Sequence, residues 1–261
     1  MRRLTNDIRI RNIINKTSQM KGLELLGNRS TVGSLSANDE FFSDEMERFW
    51  LNSRNIHQSV ITGSETFPGE MQRPRSKDVL LSGLKLSLIV AFYMATYEMY
   101  NFRAPADEIL QDSITVQVKM NQFGRCRIGS EVFGSIMSIR HVKSSYILAN
   151  FLTDDGQTDC YPGQVQYYFK HIVDLPDGPV EHNLAYVRWY KPAITRHYFE
   201  KEEACNVELW RDDFYPESRD CIIPVHNILC RFIPAKYKIS SRRNAVEYLA
   251  INPINRKLHV R

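Results

Sequence analysis

The sequence predicts an α+β protein: an N-terminal helical segment followed by a β-rich module that folds as a partly open barrel or sandwich. Three observations carry this. Between Pro162 and Tyr237 the runs PGQVQYYFKHIVDL, HNLAYVRWYKPA and NVELWRDDFYPESRDCIIPVHNILCRFIPAKY are rich in aromatic and β-branched residues and are separated by Pro, Gly and Asp clusters. Upstream, the run from Leu86 to Ala95 is strongly apolar, as in a buried helix. From Ile109 onward the apolar spacing switches to strict alternation, with Ile114, Val116 and Val118 set between Thr115, Gln117 and Lys119.

Taken in order, residues 1–38 form a basic, weakly ordered N-terminus in which Arg, Asn, Ser, Thr and Gly dominate. Residues 39–108 form a helical segment with a Gly/Pro linker. Asn38 can cap a first helix carrying Phe41, Phe42, Met46, Phe49 and Trp50 on one face, and core packing is its simplest use. Thr62 to Ser76 reads as the linker. Ser76 can cap a second helix running to about Phe102, with Asp78 near the positive end of the dipole and Arg103-Ala104-Pro105 ending it. Its apolar centre is about half the roughly 20 residues that a bilayer requires and is bracketed by Lys85 and Glu98, so no membrane span is expected.

Residues 109–261 form the β-rich module with a basic C-terminus. Cys126 to Ile128, Val132-Phe133, Ser145 to Leu152 and Tyr248 to Ile251 add strands, and Asp154-Asp155-Gly156 adds a turn. With the three long runs this makes about eight short strands, the density of a barrel or sandwich. Val165, Tyr167, Val187, Trp189 and Leu209 are expected to face one shared core.

With 261 residues, 43% of them hydrophobic, the chain can bury a sizeable core. Residues 1–30 carry seven Lys/Arg against two acids, net +5, and residues 231–261 carry eight against one, net +7. The total of +4 therefore leaves 4 − 5 − 7 = −8 for the middle. Basic ends around an acidic middle suit either an anionic partner or internal neutralisation. At the C-terminal end Lys236, Lys238, Arg242, Arg243, Arg256 and Lys257 flank the Tyr248–Ile251 strand, and they are the candidate nucleic-acid-binding residues. The five cysteines are an odd number without a CxxC pair, and the first 30 residues lack a signal-peptide core, so an intracellular, reduced protein is expected.

No catalytic residues are assigned. GxSxG, P-loop, GxGxxG and HExxH patterns are missing. A nuclease would need carboxylates converging on metal, and Asp154, Asp155, Asp159, Asp212, Asp213 and Asp220 all fall in turn-like surroundings. Cys221, His226 and Cys230 are spaced C-x4-H-x3-C, outside the common zinc pairing, with Cys160, His197 and Cys205 as distant partners. On a strand Cys221 and His226 point to opposite faces whereas His226 and Cys230 share one, an arrangement a bulge at Pro224 could change; lacking paired spacing, the set predicts no metal or cofactor.

Four segments follow the order of the bromo-adjacent homology (BAH) module: Gly163 to Val165; Val187-Arg188-Trp189-Tyr190 with Pro192; Glu208-Leu209-Trp210; and Ile223-Pro224-Val225 with Ile228. The chain resembles that family over about a third of its length, departing at Cys230-Arg231, where the aromatic comes only at Phe232. The resemblance implies a chromatin-associated, non-enzymatic interaction domain. Around this core Tyr161, Trp189, Trp210 and Tyr215 are the candidate ligand-binding aromatics, as a cage for an ammonium or a platform for a base. The Trp residues serve equally as barrel filling, and Tyr161 and Tyr215, beside prolines, are better placed for a surface role.

NQFGRCRIGS (121–130), RHVKSSYILA (140–149), RDCIIPVHNILCRF (219–232) and YLAINPINRK (248–257) carry a second, longer resemblance. From Phe67 to the C-terminus the chain is similar to a group of mobile-element or transposase-associated proteins of early-diverging fungi. This implies a genomic setting without assigning an activity; nucleic acid or a chromatin protein is the expected partner, and the nucleus the expected location. A piece of a transposase whose catalytic core lies elsewhere is the alternative.

Overall fold

In a computed structural model that describes residues 61–67, 69–97, 100–108, 112–152, 158–194, 196–197, 207–240 and 245–254, six antiparallel strands pair around a ring. The elements are β1 (Gly69–Leu80), α1 (Gly83–Thr96), β2 (Asn101–Arg103), β3 (Ser113–Thr115), β4 (Lys119–Ile128), β5 (Glu131–Phe133), β6 (Tyr146–Leu152), β7 (Thr158–Leu175), β8 (Gly178–Pro192), β9 (Glu208–Phe214), β10 (Ile222–Pro224), β11 (Ile228–Ser240) and β12 (Ala245–Pro253). The ring runs β7–β6–β11–β12–β9–β8 and returns to β7. Beyond it β4 and then β1 extend the sheet from β7, with β5 on β4 and β10 on β8.

Long strands make the closure possible. The first half of β7 pairs with β6 and the second half with β8, while β11 gives Ile228–Arg231 to β6 and Phe232–Ser240 to β12. The seam is β8–β9, where Tyr190 faces Phe214 and Pro192 faces Trp210 across an irregular register. Closure moves the sheet's terminal strands, β1 and β10, outside the ring.

Two cores result where the sequence suggested one. Leu148, Tyr190, Trp210, Phe232, Leu249 and Ile251 fill the ring, with Tyr161 packed against them, so all six strands contribute. A larger cluster gathers Leu88, Ile89, Phe92 and Tyr93 of α1 with Phe123, Val165, Phe169, Leu184, Val187 and Trp189. Adjacent residues divide between the two: Trp189 lies in this larger cluster and Tyr190 in the ring, as strand alternation requires. Leu209 is fully buried but is the neighbour of ring-facing Trp210 and so points away from it.

Three local expectations are corrected. The stretch from Gly69 to Leu80 is a strand paired with β4, where the sequence suggested a linker and a helix capped by Ser76; α1 begins only after Ser82. Met71 to Lys77 has no apolar helical face, and Pro74 removes an amide donor, which an edge strand tolerates and a helix does not. The helix stops at Thr96, short of Phe102, because Asn101–Arg103 pairs in parallel with Ser113–Thr115 while Tyr97, Tyr100 and Phe102 pack together. Gln166 is a bulge between the pairs Val165–Val187 and Tyr167–Tyr186, so the phase slips: Tyr168 is fully buried, while Tyr167 is half-buried and packs against the same cluster as Val165, Val187 and Trp189. The expectations for residues 1–38, for the helix from Asn38 to Trp50 and for the Asp154-Asp155-Gly156 turn lie outside the described residues.

Candidate functional site

The two tryptophans are structural. Trp189 is buried and its indole N–H donates to the Asp220 carbonyl at 2.7 Å; Trp210, also buried, donates to Glu208 Oε2 at 2.9 Å. Arg196 lies over the Trp210 ring at 4.5 Å and holds Asp159 through both terminal nitrogens at 2.7 and 2.8 Å, with Nε on Glu208 at 2.8 Å. These bonds keep the Asp159 carboxyl below its ordinary value. Tyr161 is half-buried, its ring edge-on to Trp210 and Phe151 at 5.6 Å each. Tyr215 is exposed and is tied in through its backbone, donating to the Trp189 carbonyl and accepting from Arg188. These four aromatics therefore do not form one open cage.

A different aromatic pair meets a cation. The rings of Tyr167 and Tyr186 stack at 5.2 Å, and Lys85 Nζ, from the first turn of α1, sits 3.2 Å from the Tyr186 centroid and 5.8 Å from that of Tyr167. Arg188 reaches Glu217 at 3.2 Å beside them. Burial lowers the Lys85 pKa against the opposing pull of Glu217. Burial first, and the Glu217 carboxylate second, push the Tyr186 phenol up. The arrangement recognises an ammonium through π faces and a nearby carboxylate, and the chain's own lysine fills it. Sequence reasoning missed it because the Gln166 bulge re-aims Tyr167 and nothing local links residue 85 to residue 186.

Among the candidate nucleic-acid-binding residues, Lys236 bonds Glu247 at 3.0 Å and Asp212 at 3.3 Å, and Lys238 lies 3.6 Å from Glu247. Cross-strand pairing of Lys238 with Glu247 and the neighbouring β9 bring these charges together. Arg242, Arg243, Arg256 and Lys257 lie outside the described residues. A second basic group, absent from the sequence reading, lies on β1, β4 and the 3-10 turn Ile139–Ser144. Arg73, Arg75, Lys77, Arg140 and Lys143 are exposed, and Arg125 donates from Nε to the Arg73 carbonyl at 2.7 Å with Nη1 3.2 Å from His141 Nε2.

The cysteines with His226 do not converge. Cys221 is buried in the larger cluster and Cys230 in the ring, while His226 packs edge-on to Phe67. Among the described residues no group of three or more His, Cys, Asp or Glu side chains is placed to hold a metal ion. Several of the candidate carboxylates serve ion pairs: Asp159 with Arg196, Asp212 with Lys236, Asp213 with Lys191 and Arg211, and Asp220 with Arg219. Among the described residues no helix is long and apolar enough to cross a membrane. Comparison with models of protein families, with curated proteins and with solved structures gives no match to this chain.

Proposed function

We propose that this chain is a non-enzymatic binding or scaffolding module of mobile-element origin, built on a BAH-like β core and acting inside the cell, in the nucleus, on nucleic acid or a chromatin protein. One observation carries the reading. Segments that resemble the BAH module and are far apart in sequence meet on neighbouring strands: Gly163 opposes Trp189, and Pro192 opposes Trp210. Their aromatic residues go into holding strands together, which suits a rigid frame that presents its surface to a partner.

The test presents the full chain in parallel with mononucleosomes, the same DNA without histones, and histone octamer, and adds Mg²⁺ to a second DNA sample. Retention of nucleosomes, DNA or histones without strand cleavage supports the reading. Metal-dependent cleavage, abolished by a carboxylate substitution, would replace it with the transposase alternative. A chain that retains none of the three contradicts the chromatin role.

A further inference from the structure

The β1 strand lies at the edge of the sheet and is bulged twice against β4. Gln72 and Arg75 oppose Arg125 and Phe123, so Arg73-Pro74 stands against one residue; Ser76 and Val79 oppose Gln122 and Met120, so Lys77-Asp78 does likewise. The positive φ of 50° at Asp78 belongs to the second of these bulges. A bulge re-aims the side chains at its kink, and each carries a basic residue, Arg73 and Lys77. Between them Arg75 lies over the Phe123 ring at 5.2 Å.

The neighbouring elements extend the same charge. A Cβ at Gly124 would lie 2.5 Å from Pro74 Cδ and 3.1 Å from Ser138 Cβ, so β1 and the chain leading into the 3-10 turn meet over this glycine. That contact lets Arg125 reach both the Arg73 carbonyl and His141, with the exposed Arg140 and Lys143 on either side of the histidine. Among the described residues none of Arg73, Arg75, Lys77, Arg125, Arg140 and Lys143 has a carboxylate within ion-pair distance. The acids of these elements are Glu70, which faces Arg127; Glu131, which faces Arg231; and Asp78. The contrast with Lys236 and Lys238 is direct, because those lysines already have carboxylate partners.

We infer that this β1–β4 face, and not the ion-paired part of the C-terminal edge, contacts nucleic acid, through the phosphodiester backbone. The inference rests on the binding reading above and assigns it a surface. Cations spaced along a strand and continued on the next element follow a linear polyanion, and Arg side chains dominate the group, as phosphate recognition favours. Contacts of this kind position the protein without reading sequence. Charged residues, proline and bulges on an edge strand also serve to block edge-to-edge aggregation, and that is the competing role.

The experiment titrates the full chain with a labelled DNA duplex of arbitrary sequence over a range of salt. Arg73→Gln with Arg75→Gln should lower the slope of log affinity against log salt by about 1.8, from roughly 0.9 per phosphate contact, and weaken binding about a hundredfold at ~50 mM salt. Lys236→Gln with Lys238→Gln should leave both unchanged, and Arg73→Lys with Arg75→Lys should retain binding. Should the glutamine pair on β1 fail to fold, Arg140→Gln with Lys143→Gln, which alters no hydrogen bond among the described residues, gives the same readout. Binding of the β1 variant equal to wild type, or aggregation of it without any change in DNA affinity, overturns the inference and leaves the binding reading standing. Retention of histones alone, with no affinity for DNA, does the same, whereas loss of every interaction removes both.

Discussion

Gly163 on β7 and Trp189 on β8 are direct cross-strand partners, and the indole lies across the glycine: a Cβ there would come within 2.5 Å of Trp189 Cε3 and of Val187 Cγ1. Neither neighbour can withdraw easily, since Trp189 is anchored by its 2.7 Å bond to the Asp220 carbonyl. The requirement for glycine here is one of close approach to a ring.

Gly163→Ala is therefore expected to destabilise the fold by about 1–3 kcal/mol through overpacking. Trp189→Ala should cost about 3–5 kcal/mol by leaving a cavity and an unpaired acceptor. The double variant should be clearly less destabilised than the sum, because removing the ring makes room for the methyl. Urea unfolding of the four proteins measures the coupling; strict additivity would mean that the ring does not cover the glycine.

The same pair shows how much of this fold is legible in the sequence. Alternation in HNLAYVRWYKPA and the Gly163-x-Val165 segment locate the β7–β8 ladder, and the position of Trp189 in the core follows from it. What local pattern does not carry is the bulge at Gln166, since one inserted residue shifts the phase only when a partner strand is present. Strand β1 was illegible for a related reason: its basic, proline-containing sequence forms a strand only because β4 supplies the ladder. Of the candidate site, the aromatic types were readable, but their division between two cores depends on ring closure. Charge at the two ends was plain in composition, while the β1–β4 basic face arises from residues up to 70 positions apart, from Arg73 to Lys143.

Stability should fall with acid through the paired histidines of β7 and β8. His182 is buried, with Nε2 bonded to the Tyr97 hydroxyl at 2.7 Å, and burial, followed by the neighbouring His171, pushes its pKa down to about 4. His171, bonded to Tyr93 and the Gln117 carbonyl, is lowered by burial in the same direction. A base depressed in the folded state binds protons first when unfolded, so stability is full above the ordinary histidine value and is lost as pH drops toward the folded one. For His182 the window runs from about 6.5 down to about 4. At about 1.4 kcal/mol per pH unit this amounts to about 3 kcal/mol. Unfolding free energies at successive pH values should show the decline, and His182→Gln should flatten it. A His182→Gln protein with an unchanged pH profile would contradict the assignment.

Arg196 joins β7 to β9 by holding Asp159 and Glu208 at once. Replacing it with Met keeps much of the stem over Trp210 but leaves two carboxylates close together without a counter-charge, at an expected cost of about 1–3 kcal/mol, discounted for their partial exposure. Raising salt should recover part of the loss in denaturant titrations. An Arg196→Met protein as stable as wild type at low salt would show that the network contributes nothing net.

Lys85 closes the Tyr167–Tyr186 pair. Lys85→Met preserves length and removes the cation, and about 0.5–2 kcal/mol should be lost, in keeping with a partly desolvated cation–π contact. Tyr186→Leu should make the Lys85 substitution nearly neutral, which double-mutant thermal unfolding reads directly. Equal effects of Lys85→Met in both backgrounds would assign the lysine a role other than this contact.

Salt dependence of duplex DNA binding by the wild-type chain decides whether this frame binds through its surface charge. Retention should be measurable at low salt, and log affinity should fall linearly with log salt, with a slope of about −4.5 for five phosphate contacts and little dependence on base sequence. No retention at ~50 mM salt, or an affinity that salt leaves unchanged, would contradict it.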